Sequence, residues 1–281
     1  MDFMCCGKLP RADAPPAARG VSFLSVVVVV IGLVAPMADP GHAATLDEAA
    51  ERYRSYLIRD VDRTVTSVRK LRVSVAANDL AGAKQAWIDA RIGWERSEVF
   101  TSGFVPDLDK DIDAWPDGLM GFHAIEAKLF GADGTGVASE VDGLLLSLSA
   151  LSMTVRDIRL TPQGLLNGIA RLAYEVGESK VDGGESRVSG TSIDDMRNNL
   201  DGIELAYRTI FASAIEAADP EDAAQVGHKI DELKAMLGSR DIRRLDPEKL
   251  SAISEELVLT LQNAAPRIEL ERPTLEESTT Q

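Results

Sequence analysis

Between Pro40 and Pro106 the chain has no proline, and its apolar residues recur at helical spacing. Tyr53, Leu57, Val61, Val65, Val68, Leu71 and Val75 follow one another at steps of four or three. Those steps place them on one side of an α-helix, so the segment can bury its stripe only by packing against other elements. Asn78-Asp79 interrupts the run and supplies a cap for a second helix, which carries Leu80, Ala83, Trp87 and Trp94 into Phe100. A polar, Asp-rich link is expected from Thr101 to Gly118. A helix should then run from about Leu119 to Phe130 and stop at Gly131.

The second half has the same character. Leu144 to Val155 is apolar on one face, Thr161-Pro162 opens a helix continued by Leu165 to Val176, and Val181 to Gly190 reads as a loop rich in glycine and charge. Ser192 and Asp195 stand at the spacing of a capping box. Ile193, Met196, Leu200, Ile203, Tyr207 and Ile210 form the stripe of a long helix, and further helices are expected at about Glu221–Leu237 and Pro247–Asn263. Period-2 alternation with turn signals is missing, so the expected fold is all-α: two antiparallel helical bundles packed together.

The first 43 residues stand apart from that pattern. Lys8, Arg11 and Arg19 precede an apolar run from Val21 to Ala35, and Gly41-His42-Ala43 offers small residues at −3 and −1 of a cleavage point. That is the layout of a secretory signal peptide. A membrane anchor is the other reading, but the run falls short of the roughly 20 apolar residues a spanning helix needs, and Pro36 and Pro40 follow it. The expected organisation is a signal peptide over 1–43 and a helical domain over 44–270, in halves of about 44–135 and 136–270. A frayed tail over 271–281 and a periplasmic destination complete it. Cys5 and Cys6 both lie in the leader, so the mature chain has neither disulfide nor thiolate chemistry. His123 and His228 are its remaining histidines. With 45 acidic against 30 basic residues the net charge is −15, which argues against nucleic acid and suits a protein that attracts cations.

The segment from Trp87 to Gly131 carries the chemistry. It contains Trp94-Glu95-Arg96-Ser97-Glu98, then Asp111-Ile112-Asp113-Ala114, then Gly121-Phe122-His123-Ala124-Ile125-Glu126. His123 and Glu126 are three apart, as are Glu95 and Glu98, so each pair leaves one face of its helix and two facing helices could hold one ion. Spacing leaves a second reading open: Glu95, Arg96 and Glu98 as a solvated face, and His123 as a packed core residue.

The run Gly121 to Gly131 resembles the Gly-x-His-x-x-Glu signature of the imelysin-like family, which includes periplasmic iron-uptake components of the EfeO and EfeM type. Trp94 to Glu98 is similar to that family's aromatic-Glu-Arg-x-Glu stretch, and Ile112-Asp113-Ala114 to its Ile-Asp-Ala stretch. Ser179-Lys180, Glu185-Ser186 and Asp195 to Gly202 resemble further family motifs in the same order. The resemblance implies a two-bundle helical fold and a metal site at His123, Glu126, Asp113 and Glu95, with Glu98 beside them. It also implies an iron-uptake role, with an inner-membrane permease and a periplasmic haem-peroxidase-like protein as partners. Members of the EfeO type often carry an N-terminal cupredoxin domain; here the short EfeM form is expected. Where iron-uptake relatives tend to have Tyr-Ser-His-Thr-Asp, this chain has Val188-Ser189-Gly190-Thr191-Ser192.

One imidazole among several carboxylates is a hard, oxygen-rich set that suits iron, ferric or ferrous, or manganese; zinc or another divalent metal is also compatible. Two rival functions use the same residues. A metallopeptidase of the inverted His-x-x-Glu-His type needs a second imidazole where Ala127 stands, and His228 is about a hundred residues away. A metal-bridged binder of anionic polysaccharide could stack sugars on Trp87, Trp94 and Trp115, although Trp87 and Trp94, seven apart, suit a core.

Overall fold

A computed structural model describes residues 45–113, 120–131, 136–178, 180, 186–239 and 241–275. The expected leader, Ala114 to Leu119 and the end of the tail lie outside them. The described residues contain helices and no strand. Residues from Ala43 onward form one compact unit.

Helix α1 (Leu46–Ala76) starts at a capping box: the Thr45 hydroxyl accepts from the Glu48 amide at 3.2 Å, and the Glu48 carboxylate accepts from the Thr45 amide at 3.0 Å. Its apolar stripe is buried from Tyr53 to Leu71 and partly buried at Val75. Asn78 turns the chain with φ of 56°, and Asp79 caps α2 (Leu80–Phe104) by accepting from the Gly82 amide at 2.9 Å. The turn is so short that α2 folds back along α1.

Helix α2 is the centre of the molecule. It packs against α1 on one side and against α6 (Pro162–Gly177) and α7 (Ser192–Ala206) on the others. Every residue from Val99 to Ser102 is buried, as are Glu95 and Glu98, so the solvated-face reading of this helix fails. Helix α5 (Ala138–Asp157), placed by the sequence in the second half, packs on α1, and α3 (Pro106–Asp113) and α4 (Gly121–Leu129) pack on α5. Helix α6 packs in turn on α10 (Pro247–Ala264), and α10 on α9 (Pro220–Met236). Two bundles therefore lie against each other, with α2 facing both.

Several expectations are corrected. The Asp-rich link is largely helical: α2 continues to Phe104, and α3 forms because Pro106 has the φ of a first helical turn and Asp107 and Asp109 favour that helix end. The long helix expected through Ile210 ends at Ala206 and passes through a π turn, Tyr207–Phe211, into α8 (Ala212–Ala218). Ser192 and Asp195 form no capping box; Thr191 is the N-cap, without a side-chain bond, and Asp195 turns inward. The tail expected to fray from 271 is docked at its start, where Glu271 exchanges two hydrogen bonds with the Gln163 amide (2.9 and 3.2 Å) and the Pro273 carbonyl accepts from Gln262 at 3.1 Å.

A candidate metal centre between four helices

Helix periodicity places Arg91, Glu95 and Glu98 along one side of α2, at i, i+4 and i+7. The last turn of α3 contributes Asp113. Helix α4 starts hard against that turn because residue 121 is glycine: its φ is +64°, and a Cβ there would lie 2.1 Å from the Ile112 carbonyl oxygen. This close approach brings His123 onto Asp113. On the opposite wall, Gly202 of α7 lies over the Arg96 carbonyl, where a Cβ would stand 2.5 Å away, and so lets Asp195 and Asn199 reach α2.

Three of the five expected ligands come together, and the other two adjoin them through His123. One ligand atom each from Glu95, Glu98 and Asp113 lie within 4.8 Å of one another. His123 Nε2 is 3.4 Å from Asp113 Oδ2, and its Nδ1 is 3.1 Å from Glu126 Oε2. All five side chains are buried. His123 is therefore no isolated core histidine: it stands between two carboxylates.

The site also contains groups that spacing did not single out. Buried Arg91 donates to Glu95 and Asp113 and reaches Asp195 Oδ2 at 3.2 Å. Its guanidinium lies against the Trp87 and Phe122 rings, 5.8 and 5.2 Å from their centroids. Lys180 Nζ donates to Glu95 Oε2 at 3.0 Å and Glu98 Oε2 at 2.9 Å. Asn199 Nδ2 donates to the same two oxygens at 2.8 and 2.5 Å. Ser189 holds Glu126 Oε1 through its amide (2.8 Å) and hydroxyl (2.7 Å), and Ser186 Oγ donates to Asp195 Oδ2 at 2.5 Å. The loop without the relatives' tyrosine and histidine still belongs to the site, through a serine. Arg91 had a signal in the sequence, four residues before Glu95 on one helix face; Lys180, Ser186 and Ser189 come from an irregular segment with no period to place them.

Electrostatics follow from this arrangement. Burial pushes the Glu95 carboxyl up, but the Arg91 and Lys180 charges outweigh it and hold it below the usual range. Asp113 is held well below its ordinary value despite burial, by Arg91 and then His123. Glu126 is lowered against burial by its bonds from His123 and Ser189. Asp109, one turn before Asp113, moves the other way: burial pushes its carboxyl up to about 7. Five buried carboxylates, those of Glu95, Glu98, Asp113, Glu126 and Asp195, thus surround Arg91 and Lys180, with His123 between Asp113 and Glu126. Such an oxygen-rich shell fits a hard multivalent cation.

Trp87 and Trp94 are fully buried, and Trp87 Nε1 donates to the Phe122 carbonyl at 3.1 Å, so neither can stack on a sugar. Trp115 lies outside the described residues. His228, on α9, has its side chain 68% exposed and lies 3.7 Å from Glu232.

Comparison with known proteins gives a consistent picture. The family model described as imelysin (peptidase M75) matches residues 49–119 and 118–268. The chain is 27% identical over 231 residues to the iron uptake system component EfeM of Pseudomonas syringae pv. syringae, covering 76% of this chain and 80% of that one. It is 28% identical over 210 residues to the iron uptake system component EfeO of Escherichia coli K12, covering 70% of this chain and 56% of that one. The chain thus spans little more than half the length of its Escherichia coli relatives. An EfeM/EfeO family lipoprotein of Staphylococcus haemolyticus is 26% identical over 75% of this chain and 79% of its own. A crystal structure described as an iron-regulated protein A precursor from Parabacteroides distasonis shares the fold, with a TM-score of 0.61 and 17% identity, covering 83% of this chain and 98% of that one.

Proposed function

The chain belongs to the imelysin family, and on that premise we propose that it is an exported iron-binding protein, the ion-capturing component of an iron-uptake system. Glu95, Glu98, Asp113, His123 and Glu126 form its ligand set. The observation that carries the reading is the crowding of buried carboxylates: one ligand atom each from Glu95, Glu98 and Asp113 lie within 4.8 Å of one another, with His123 against Asp113. Carboxylates this close together in a buried site repel one another, and a bound multivalent cation offsets that repulsion. The relatives' names as iron-uptake components point the same way. The leader-like first 43 residues and the lipoprotein relative support a place in the cell envelope, where a membrane permease and a haem-peroxidase-like protein would be its partners.

A peptidase role has less support. Zinc hydrolases of the inverted type use two imidazoles with a separate general base, whereas among the described residues His123 is the one imidazole beside these carboxylates and Ala127 holds the place of the second. The decisive experiment is elemental analysis of the protein purified from the periplasm, followed by calorimetric titration of the stripped protein with ferric citrate and with zinc. One tightly bound iron per chain is expected. A stripped, folded protein that takes up neither ion ends the proposal.

A further inference from the structure

The oxygens that the proposed site offers a metal are already held by a cation of the protein itself. Lys180 Nζ bridges Glu95 Oε2 and Glu98 Oε2 at 3.0 and 2.9 Å, and the side chain is buried. Divalent metals sit about 2.0–2.2 Å from carboxylate oxygens. An ion bound by both glutamates would therefore share its oxygens with the ammonium a short distance away, with little water to screen the repulsion. One of the two cations has to leave.

Arg91 is poorly placed to move. It rises from the middle of α2, engages Glu95, Asp113 and Asp195, and lies against two aromatic rings. Lys180 reaches the site along a flexible four-carbon stem from the segment between α6 and α7, its backbone amide tied to the Glu175 carbonyl at 3.1 Å. A second acceptor lies within its electrostatic reach: Asp109, whose Oδ1 is buried without a hydrogen-bond partner.

Resting on the metal-binding reading above, we propose that Lys180 is an exchangeable internal counter-ion that holds Glu95 and Glu98 in the metal-free protein and is expelled when the metal binds. The exchange has a functional consequence. Replacing an ammonium by a divalent ion adds one positive charge to the cluster, and replacing it by a trivalent ion adds two. A monovalent ion adds no charge and so gains nothing by expelling the lysine, and Lys180 thereby sets a threshold that multivalent ions clear. The returning ammonium also stabilises the emptied site and so favours release.

The test uses the full chain. Lys180→Met keeps the stem and removes the charge. Stripped Lys180→Met should melt below wild type, yet bind ferric iron from citrate and zinc more tightly. The expected gain is about 10–100-fold, the range over which partners of metal ligands tune affinity. In wild type, the side-chain NMR signal of Lys180 should move on saturation with diamagnetic zinc. Lys180→Arg assigns that signal if the methionine variant does not fold. An unmoved signal at full zinc occupancy overturns the proposal, as does affinity in Lys180→Met equal to or below wild type; either result leaves the metal site itself standing. Failure of both proteins to bind any metal overturns this proposal and the functional reading together.

Discussion

Replacing His123 by alanine separates a metal site from a packed histidine. The imidazole contacts Glu126 Oε2 at 3.1 Å and Asp113 Oδ2 at 3.4 Å. Its removal leaves neither carboxylate bare, because Glu126 still accepts from Ser189 and Asp113 still pairs with Arg91. The stability cost is then that of charge-assisted hydrogen bonds, about 2–3 kcal/mol. At 2–4 °C per kcal/mol for a unit of this size, the melting temperature should fall by about 4–12 °C while the helical circular dichroism persists. Binding should suffer far more. Outer partners of metal ligands already move affinity by about 10–100-fold, so losing a ligand should weaken iron binding at least about a hundredfold. Glu126→Ala should act alike, whereas exposed His228→Ala should change neither quantity. Calorimetric titration with ferric citrate beside thermal melts reads both effects. Wild-type iron affinity in a folded His123→Ala protein refutes the ligand assignment.

Three further outcomes follow from the geometry. The metal-free protein should lose stability as pH falls through and below the ordinary carboxylate values of 4.5 and 3.8. Glu95, Asp113 and Glu126 all have depressed folded-state pKa values, so their contribution is present above the unfolded values and lost as they protonate; a melting temperature that stays level from pH 6 to pH 3 contradicts this. Asp109 has the opposite sign, since its folded value near 7 lies above the ordinary 3.8 and ionisation costs stability as pH rises. Asp109→Asn should therefore raise the melting temperature at pH 8 more than at pH 5, and an equal gain at both would show that the carboxyl is not held neutral. Gly121→Ala should abolish soluble, metal-binding protein, because its Cβ would collide with the Ile112 carbonyl in a left-handed backbone; normal yield and melting would show that α4 does not pack so closely on α3.

The helices themselves were legible because their information is local. Steps of three and four in α1, the Asp79 and Thr161 caps and the Pro162 and Pro247 starts act within a few residues, and each is found where expected. The neighbouring of His123 and Glu126 was legible for the same reason, since i,i+3 spacing puts them side by side whatever the rest of the chain does. What the sequence left open was decided by distance between segments. Asp195 had the spacing of a cap, but Arg91, 104 residues earlier, offered a buried charge, and that attraction outweighs a capping bond at the surface. Asp107 to Asp113 looked like a polar link because their charges invite solvent; packing against α5 made them a helix and turned Asp113 inward. Lys180 had no period to betray it, yet it bridges two carboxylates 82 and 85 residues away. Local pattern fixes which face a side chain leaves. Only the folded chain determines which charges that face then meets, because a buried ion takes its partner from whatever segment packs against it.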